Sequence, residues 1–297
     1  GMVGMAMVTR FEPLLVFYTL TGLGAGGAYV PAMSLASSWF EASHRGRAAG
    51  TMLAGAGIGI VLSGLLVPLL FAMIAAVTLL ACLIGLRDRP ARIGLKPYGT
   101  PAPPSVAGSP PPRRGWLVLL HLGIIYACYG ITYMVYTTFI VTTMVDELSV
   151  SKHDAGLLWS VLGALSIFSG TLFGNIADRL GLRAGMAAAM TVQGVAYGLI
   201  AFGTGTYGLY LSVFLFGASA WSMPSIVAAA AGDYLGAERA AAGFAVLTLM
   251  FAVGQALGPA GAGILAGWTG GFAASYGVAA GLNAMAVVLC CFLRRPQ

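Results

Sequence analysis

Charge is what this sequence has least of. Only 8% of its 297 residues are charged, against about 25% in ordinary soluble domains. About 20 consecutive apolar residues span the hydrocarbon of a bilayer as a helix, and such a helix satisfies its own backbone hydrogen bonds. The chain is therefore predicted to be an all-α, multi-pass membrane protein. Six runs contain no Asp, Glu, Lys or Arg: 13–40, 48–86, 115–145, 155–177, 184–232 and 240–293.

Reactive side chains and metal ligands are also scarce. The chain has three histidines and four cysteines, and it contains no H-E-x-x-H helix or nucleophile motif. We therefore predict no catalytic residue, no metal and no cofactor, and we interpret the protein as a non-enzyme, with an intramembrane enzyme as a minor alternative. The net charge of +6 comes from short loops rather than from one helix face, so no nucleic-acid partner is expected.

Charged residues, Pro and Gly divide the apolar runs into nine complete spans. Residues 1–9 are too short to cross and are interpreted as the tail of a helix whose beginning is missing. The run 48–86 barely suffices for two helices with Pro68 at the turn, so one crossing and two crossings both remain open. The predicted spans are 13–40, 48–67, 69–86, 116–143, 155–177, 183–203, 207–232, 240–267 and 271–293.

The distribution of basic residues favours two crossings. With two, thirteen of the fifteen Lys and Arg residues fall on one side of the membrane, and only Arg10 and Lys152 fall on the other. Short cytoplasmic loops are enriched in basic residues. We therefore expect a protein of the inner (plasma) membrane whose C-terminus is cytoplasmic.

A Pro-, Gly- and Ser-rich segment divides the chain in two. Residues 87–115 have the composition of a linker, and they are expected to be a cytoplasmic central loop between a first part, 1–86, and a second part, 116–297. The first part then holds three spans and the stub, and the second part holds six spans.

The two parts resemble each other. Gly24–Gly50 aligns without a gap on Gly217–Gly243, which places Pro31 on Pro224 and ends both segments on Ala-Ala-Gly. Related halves are typical of secondary transporters.

A charged loop begins at the end of the run 155–177. It begins at Gly174 and reads Gly-Asn-Ile-Ala-Asp-Arg-Leu-Gly-Leu-Arg. Gly174 allows close helix approach, Asp178 can face the positive end of a neighbouring helix, and Gly181 permits a tight turn. Arg179 and Arg183 can hold the loop at the cytoplasmic surface.

This loop resembles motif A, G-x-x-x-D-R-x-G-R-[RK], the gating loop of the major facilitator superfamily (MFS), except that Leu182 replaces a base. The resemblance implies an MFS-type helical bundle with two pseudo-repeated halves and covers the whole chain, which is similar to uncharacterised bacterial MFS carriers. It makes 13–40 the family's helix four, 116–143 helix seven and 155–177 helix eight. The N-terminal half is then expected to be incomplete, from the helix-three tail onward.

The function implied is secondary transport of a small organic solute by alternating access across the bilayer. A truncated, non-transporting remnant remains an alternative. The coupling ion is left open, with a proton as the candidate. Tyr18 stands where some proton-coupled antiporters of the family have an arginine, which weakens a claim of antiport. The segment from Gly254 to Pro259 is similar to an antiporter pattern but lies in helix eleven, so we interpret it as close helix packing with a bend.

A row of tyrosines marks the predicted helix seven. Tyr126, Tyr129, Tyr133 and Tyr136 recur at spacings of three, four and three, which places them on one helix face. A buried phenol needs a partner for its hydroxyl. For the first three, cavity lining and hydrogen bonding between helices remain equal alternatives. For Tyr136, which lies nearer the outer interface, a structural role is favoured.

The resemblance implies a cavity lined by helices one, four, seven and ten. Its predicted lining adds Tyr29 of helix four, Trp221 and Ser222 of helix ten, and Gln255 beside the Gly-Pro bend of helix eleven. Because this lining is aromatic and hydroxylic without charge, the expected substrate is small and partly apolar.

Overall fold

The computed structural model describes residues 42–65, 77–84, 115–235 and 237–293, together with Gly94 and scattered residues before position 42. Most of 1–41, most of the central loop and Tyr29 lie outside the described residues. The named elements of the described part are all helices, and the second is extended by a π-helical turn, Thr143–Glu147. The helices are α1 Ala42–Leu65, α2 Gly115–Thr142, α3 Lys152–Leu180, α4 Leu182–Ala201, α5 Gly205–Ser219, α6 Ser222–Leu235, α7 Ala237–Thr269 and α8 Ala273–Phe292.

The six spans predicted for the second part are present as helical segments long and apolar enough to cross a bilayer. They confirm the predicted all-α, multi-pass architecture, and they run a few residues longer or shorter than the predicted ranges. The segments are Trp116–Glu147, Lys152–Leu180, Leu182–Ala201, Gly205–Leu235, Arg239–Thr269 and Ala273–Phe292.

The first part of the chain is described over a shorter length. Helix α1 begins at Ala42, six residues before the predicted span 48–67, because Arg45 and Arg47 end the apolar run without ending the helix. Residues 77–84 are helical within the predicted span 69–86. The connection between these helical segments lies outside the described residues, so the number of crossings over 48–86 stays a prediction.

The outer surface of the bundle is apolar. Large side chains such as Phe168, Phe202, Tyr207 and Trp268 are exposed, with Tyr207 at 89%. In water such a surface would drive association, whereas in a bilayer it contacts lipid tails.

Helices α2 and α7 touch backbone to backbone. A Cβ added to Gly258 would lie 2.4 Å from the carbonyl oxygen of Ile131, and one added to Gly254 would lie 2.4 Å from that of Ala127. Only glycine permits this approach, which is the packing role that small residues have in membranes. The glycines of the Gly-Pro segment therefore serve the close packing that was predicted for them.

A second glycine contact joins the two parts of the chain. Gly50 of α1 faces Gly170 of α3, where a Cβ on Gly50 would lie 2.6 Å from the carbonyl carbon of Gly170. Further along, a Cβ on Gly57 would lie 2.8 Å from the backbone nitrogen of Ile167. Because α1 belongs to the predicted first part and α3 to the second, we refer to this contact as the glycine seam.

Candidate functional site

The span Gly205–Leu235 is broken near its middle. Helix α5 ends at Ser219, helix α6 begins at Ser222, and Ala220 and Trp221 form a turn between them. Pro224 explains the break, since proline has no N–H and its ring clashes with the carbonyl four residues earlier, here that of Ala220. This turn is called the helix break below.

Side chains from other helices bond the backbone groups of the helix break. Tyr129 of α2 donates its hydroxyl to the Ala220 carbonyl. Gln193 of α4 donates Nε2–H to the Ser219 carbonyl at 3.1 Å, and the Trp221 amide donates to Ser169 Oγ of α3 at 3.0 Å. Irregular backbone is tolerated at membrane depth where protein buries it or where it lines a cavity.

The tyrosine row is buried, and its first three rings pack one against the next beside the break. Ring centroids of Tyr126 and Tyr129 are 5.9 Å apart, and those of Tyr129 and Tyr133 are 5.5 Å apart. Two phenylalanines extend the row. Phe251 of α7 stacks on Tyr126 at 4.6 Å, and Phe216 of α5 stacks on Tyr136 at 4.0 Å.

The residues predicted on the broken span join this row. The indole of Trp221 is half-buried, and its centroid lies 5.5 Å from that of Tyr133. Ser222 is buried, and its hydroxyl donates to the Ser219 carbonyl at 2.6 Å. The structure thus places Trp221 beside Tyr133 and Ser222 at the helix break, and their role as cavity lining stays a prediction.

Some tyrosine hydroxyls already have protein partners. The hydroxyl of Tyr129 bonds the helix break, and that of Tyr136 lies 2.9 Å from Ser212 Oγ. For these two residues the geometry shows hydrogen bonding between helices. A role in contacting substrate would therefore fall to their rings rather than to their hydroxyl protons.

Gln255 lies at the edge of the same cluster. It follows Phe251 by one turn on α7, and its backbone nitrogen would lie 3.3 Å from a Cβ on Gly130 of α2. Its side chain is half-buried and makes no hydrogen bond within the described part of the chain. Asn283, by contrast, is engaged, because it donates to the Met190 carbonyl at 3.1 Å and accepts from Thr132 Oγ1 at 3.0 Å.

Three residues of the cluster were not found from the sequence. Phe216, Phe251 and Ser169 show no spacing pattern of their own, and their positions depend on how the helices are set against one another. One signal was available: Pro224 inside an apolar span implies a freed carbonyl at Ala220 that needs a donor.

The segment predicted as a charged loop is helical except at Gly181, because residues 174–180 end α3 and Leu182 begins α4. The connection between the two helices is therefore a tight turn at Gly181. Gly181 has φ 92°, a value that side chains disfavour, and Gly174 is buried in α3. Asp178 and Arg179 are exposed. The turn is compact, since a Cβ on Gly185 would lie 2.6 Å from that of Ala177.

Arg183 points from this turn toward the end of α6. Its Nε is buried without a hydrogen bond among the described residues, and the guanidinium lies close enough to Tyr234 to act on it electrostatically. Asp233 acts on the same tyrosine. The turn therefore meets the helix that follows the helix break, a neighbour that the motif alone did not reveal.

No group of three or more His, Cys, Asp or Glu side chains that could hold a metal ion occurs among the described residues.

A family model described as "Uncharacterised MFS-type transporter YbfB" matches residues 1–291. The chain belongs to this family of MFS transporters. A similar solved structure is the crystal structure of the human organic anion transporter MFSD10 (TETRAN), with a TM-score of 0.73 and 17% sequence identity. The match covers 97% of this chain and 73% of that chain, and it shows the fold. No curated protein matches the chain.

Membership of the MFS confirms the predicted fold and the transporter class, and with the six spans it confirms a multi-pass membrane protein. On the helix numbering that the charged loop predicts, α2 corresponds to helix seven, α3 to helix eight and α4 to helix nine, and this numbering stays a prediction. By the same numbering the broken pair α5–α6 corresponds to helix ten, and α7 and α8 to helices eleven and twelve.

Proposed function

We propose that the protein is a secondary transporter that moves a small, partly apolar organic solute by alternating access, with its site at the tyrosine row and the helix break. The helix break carries this proposal. Discontinuous helices near the midplane form substrate sites in secondary transporters, and this one is bonded by side chains of α2, α3 and α4.

The glycine seam supplies the connection between the two parts. A Cβ on Gly170 would lie 2.8 Å from Cα of Gly50 and 3.4 Å from the carbonyl oxygen of Trp221. Gly170 therefore touches both the first part of the chain and the helix break. Rocking of one part against the other would change this seam and the surroundings of the site together, as alternating access requires.

The chemistry of the cluster favours a small, partly apolar substrate. Its described side chains are aromatic, hydroxylic or amide, and none of them is charged. The similar human protein is an organic anion transporter, and its substrate class is not carried over on structural likeness alone. The coupling ion stays open, with a proton as the candidate, and no catalytic step is proposed.

Transport can be tested in proteoliposomes that contain the purified chain. We expect them to take up at least one small organic solute from a metabolite extract, detected by mass spectrometry, above the level of protein-free liposomes. Trp221→Ala should reduce that uptake, whereas Trp268→Ala, at an exposed position 82% accessible, should not. Uptake equal to that of protein-free liposomes for every solute would favour the non-transporting alternative.

Rocking can be tested with spin labels in a cysteine-free parent. Labels at Met52 of α1 and Val195 of α4, both exposed, report on the two parts, and labels at Leu157 and Val288 report within the second part. We expect two distance populations for the first pair and one for the second. A single population for both pairs in all lipid conditions would contradict alternating access.

We also propose a plasma-membrane location with residues 87–115 and the C-terminus in the cytoplasm, on the basis of the basic loops. An impermeant thiol reagent applied to intact cells should miss cysteines placed at Ser105 and Gln297. It should reach cysteines placed at Ser149 and Thr204, both of which are exposed. Labelling at position 105 would mean that 48–86 crosses the membrane once.

A further inference from the structure

The indole N–H of Trp221 has no hydrogen-bond acceptor among the described residues, although the neighbouring polar groups of the helix break are hydrogen-bonded. The backbone amide of Trp221 bonds Ser169, and the carbonyls of Ser219 and Ala220 accept from Gln193 and Tyr129. Nε1 of Trp221, in contrast, is buried and makes no hydrogen bond within the described part of the chain.

A buried donor without an acceptor is unfavourable and uncommon in folded proteins. An indole N–H can only donate, so the group that satisfies it must carry an acceptor. The ring of Trp221 lies 5.5 Å from that of Tyr133, and Phe216 stacks on Tyr133 at 5.7 Å. A ligand that reaches the N–H therefore meets an aromatic wall as well.

We propose that Trp221 is the hydrogen-bond donor that recognises the substrate, through a carbonyl or carboxylate oxygen of a small molecule whose apolar body lies against Tyr133. The inference rests on the proposed function, because it assigns a role within the same site. Binding would give Trp221 an acceptor that the conformation described above lacks. A substrate that supplies this bond shifts the population toward the conformation in which the bond forms.

The test uses matched pairs of small molecules that differ only in the acceptor. Acetophenone and α-methylstyrene have nearly the same shape, but only the ketone has an oxygen, and benzoate adds an arm for carboxylates. A panel of such pairs is titrated onto the ¹⁵N-labelled chain in nanodiscs. The indole N–H resonance of Trp221, assigned by its loss in Trp221→Phe, is followed.

We expect oxygen-bearing members to move this proton resonance downfield and to bind about three- to tenfold more tightly than their isosteres, the range for one neutral hydrogen bond. Trp221→Phe should abolish that preference, and Trp268→Phe should keep it. Should Trp221→Phe fold poorly, β-(3-benzothienyl)alanine at position 221 removes the N–H and keeps the ring shape.

The outcomes separate this inference from the proposed site. If both members of every pair bind equally and Tyr133→Leu weakens both, the site stands and the role of the Trp221 donor is wrong. If no binding in the panel responds to Tyr133→Leu or Trp221→Phe, the site and the donor are both wrong. A larger shift with benzoate than with acetophenone would assign a carboxylate rather than a neutral carbonyl.

Discussion

The helix break and the α2–α7 contact hold helices together by opposite means. At the break, long polar side chains reach across to a backbone that Pro224 has disturbed, as when Tyr129 bonds the Ala220 carbonyl. Where α2 and α7 meet, no side chain separates them, because Gly254 and Gly258 of α7 lie directly against the backbone of α2. A hydrogen-bonded junction can change one bond at a time, whereas a glycine contact excludes every added atom.

This difference suggests a division of labour within the second half. The α2–α7 contact keeps the tyrosine row and Phe251 together as a unit. The helix break, with its separate donors on α2, α3 and α4, can exchange partners between conformations. The glycine seam is a close glycine contact like that of α2 and α7, but it lies between the two parts. An added atom there should therefore act on conformation as well as on stability.

Gly258→Leu should have the largest effect. Its Cβ would lie 2.4 Å from the Ile131 carbonyl oxygen, so α2 and α7 would have to separate, at about 3 kcal/mol of unfolding free energy or more. We expect loss of a monodisperse peak in size-exclusion chromatography. Gly261→Leu, on the same helix, is the matched control, because nothing lies within 4 Å of its Cβ. Equal tolerance of both changes would mean that the contact is not close.

Gly50→Ala should perturb the glycine seam by about 1–3 kcal/mol. The added methyl would lie 2.6 Å from the Gly170 carbonyl carbon, which penalises the conformation in which α1 and α3 touch. The distance distribution between labels at Met52 and Val195 should therefore shift toward separated parts. Gly55→Ala, with open space at its Cβ, should leave the distribution unchanged. A shift with both variants would point to helix propensity instead of contact.

Tyr129→Phe should lower stability by about 1 kcal/mol and reduce uptake without changing the amount of protein in the membrane. The change removes the donor to the Ala220 carbonyl, which Pro224 has deprived of its helical partner. Pro224→Ala restores a backbone N–H four residues after Ala220. In that background Tyr129→Phe should have almost no effect, and a double-mutant cycle measures the difference. Additive effects would show that the two residues are not coupled.

The membrane-spanning helices could be predicted from the sequence more accurately than the points at which they begin and end. A lipid-exposed helix must be apolar along its length, so the six spans of the second part follow from the absence of charge. The start of α1 at Ala42 does not, because the helix continues past Arg45 and Arg47, the charged residues at which the apolar run ends.

For the candidate site, the sequence predicted only which face of α2 carries the tyrosines. Spacing placed the four tyrosines on one side of α2, but it could not tell that Tyr129 meets Ala220 or that Phe251 stacks on Tyr126. Those contacts depend on the relative positions of separate helices. Tyr29 lies outside the described residues, so its place in the cavity stays a prediction.

Asp178→Asn should have the smallest effect, about 0.3–1 kcal/mol for an exposed carboxylate near a helix N-terminus. Gly50 faces Gly170, and α1 and α3 run in opposite directions if each crosses the membrane as predicted. Ala42, where α1 begins, and Asp178 each lie eight residues, or about 12 Å of helix, from that contact. On this register we expect the carboxylate to lie near the positive end of α1. Neutralising it should weaken the closed seam, shift the Met52–Val195 distances modestly toward separation and slow transport without affecting membrane insertion.

Asp146→Asn, at the opposite end of the bundle, is the control and should change neither the distances nor the transport rate. Unchanged distances and rates for Asp178→Asn would leave the charged loop with a packing role alone.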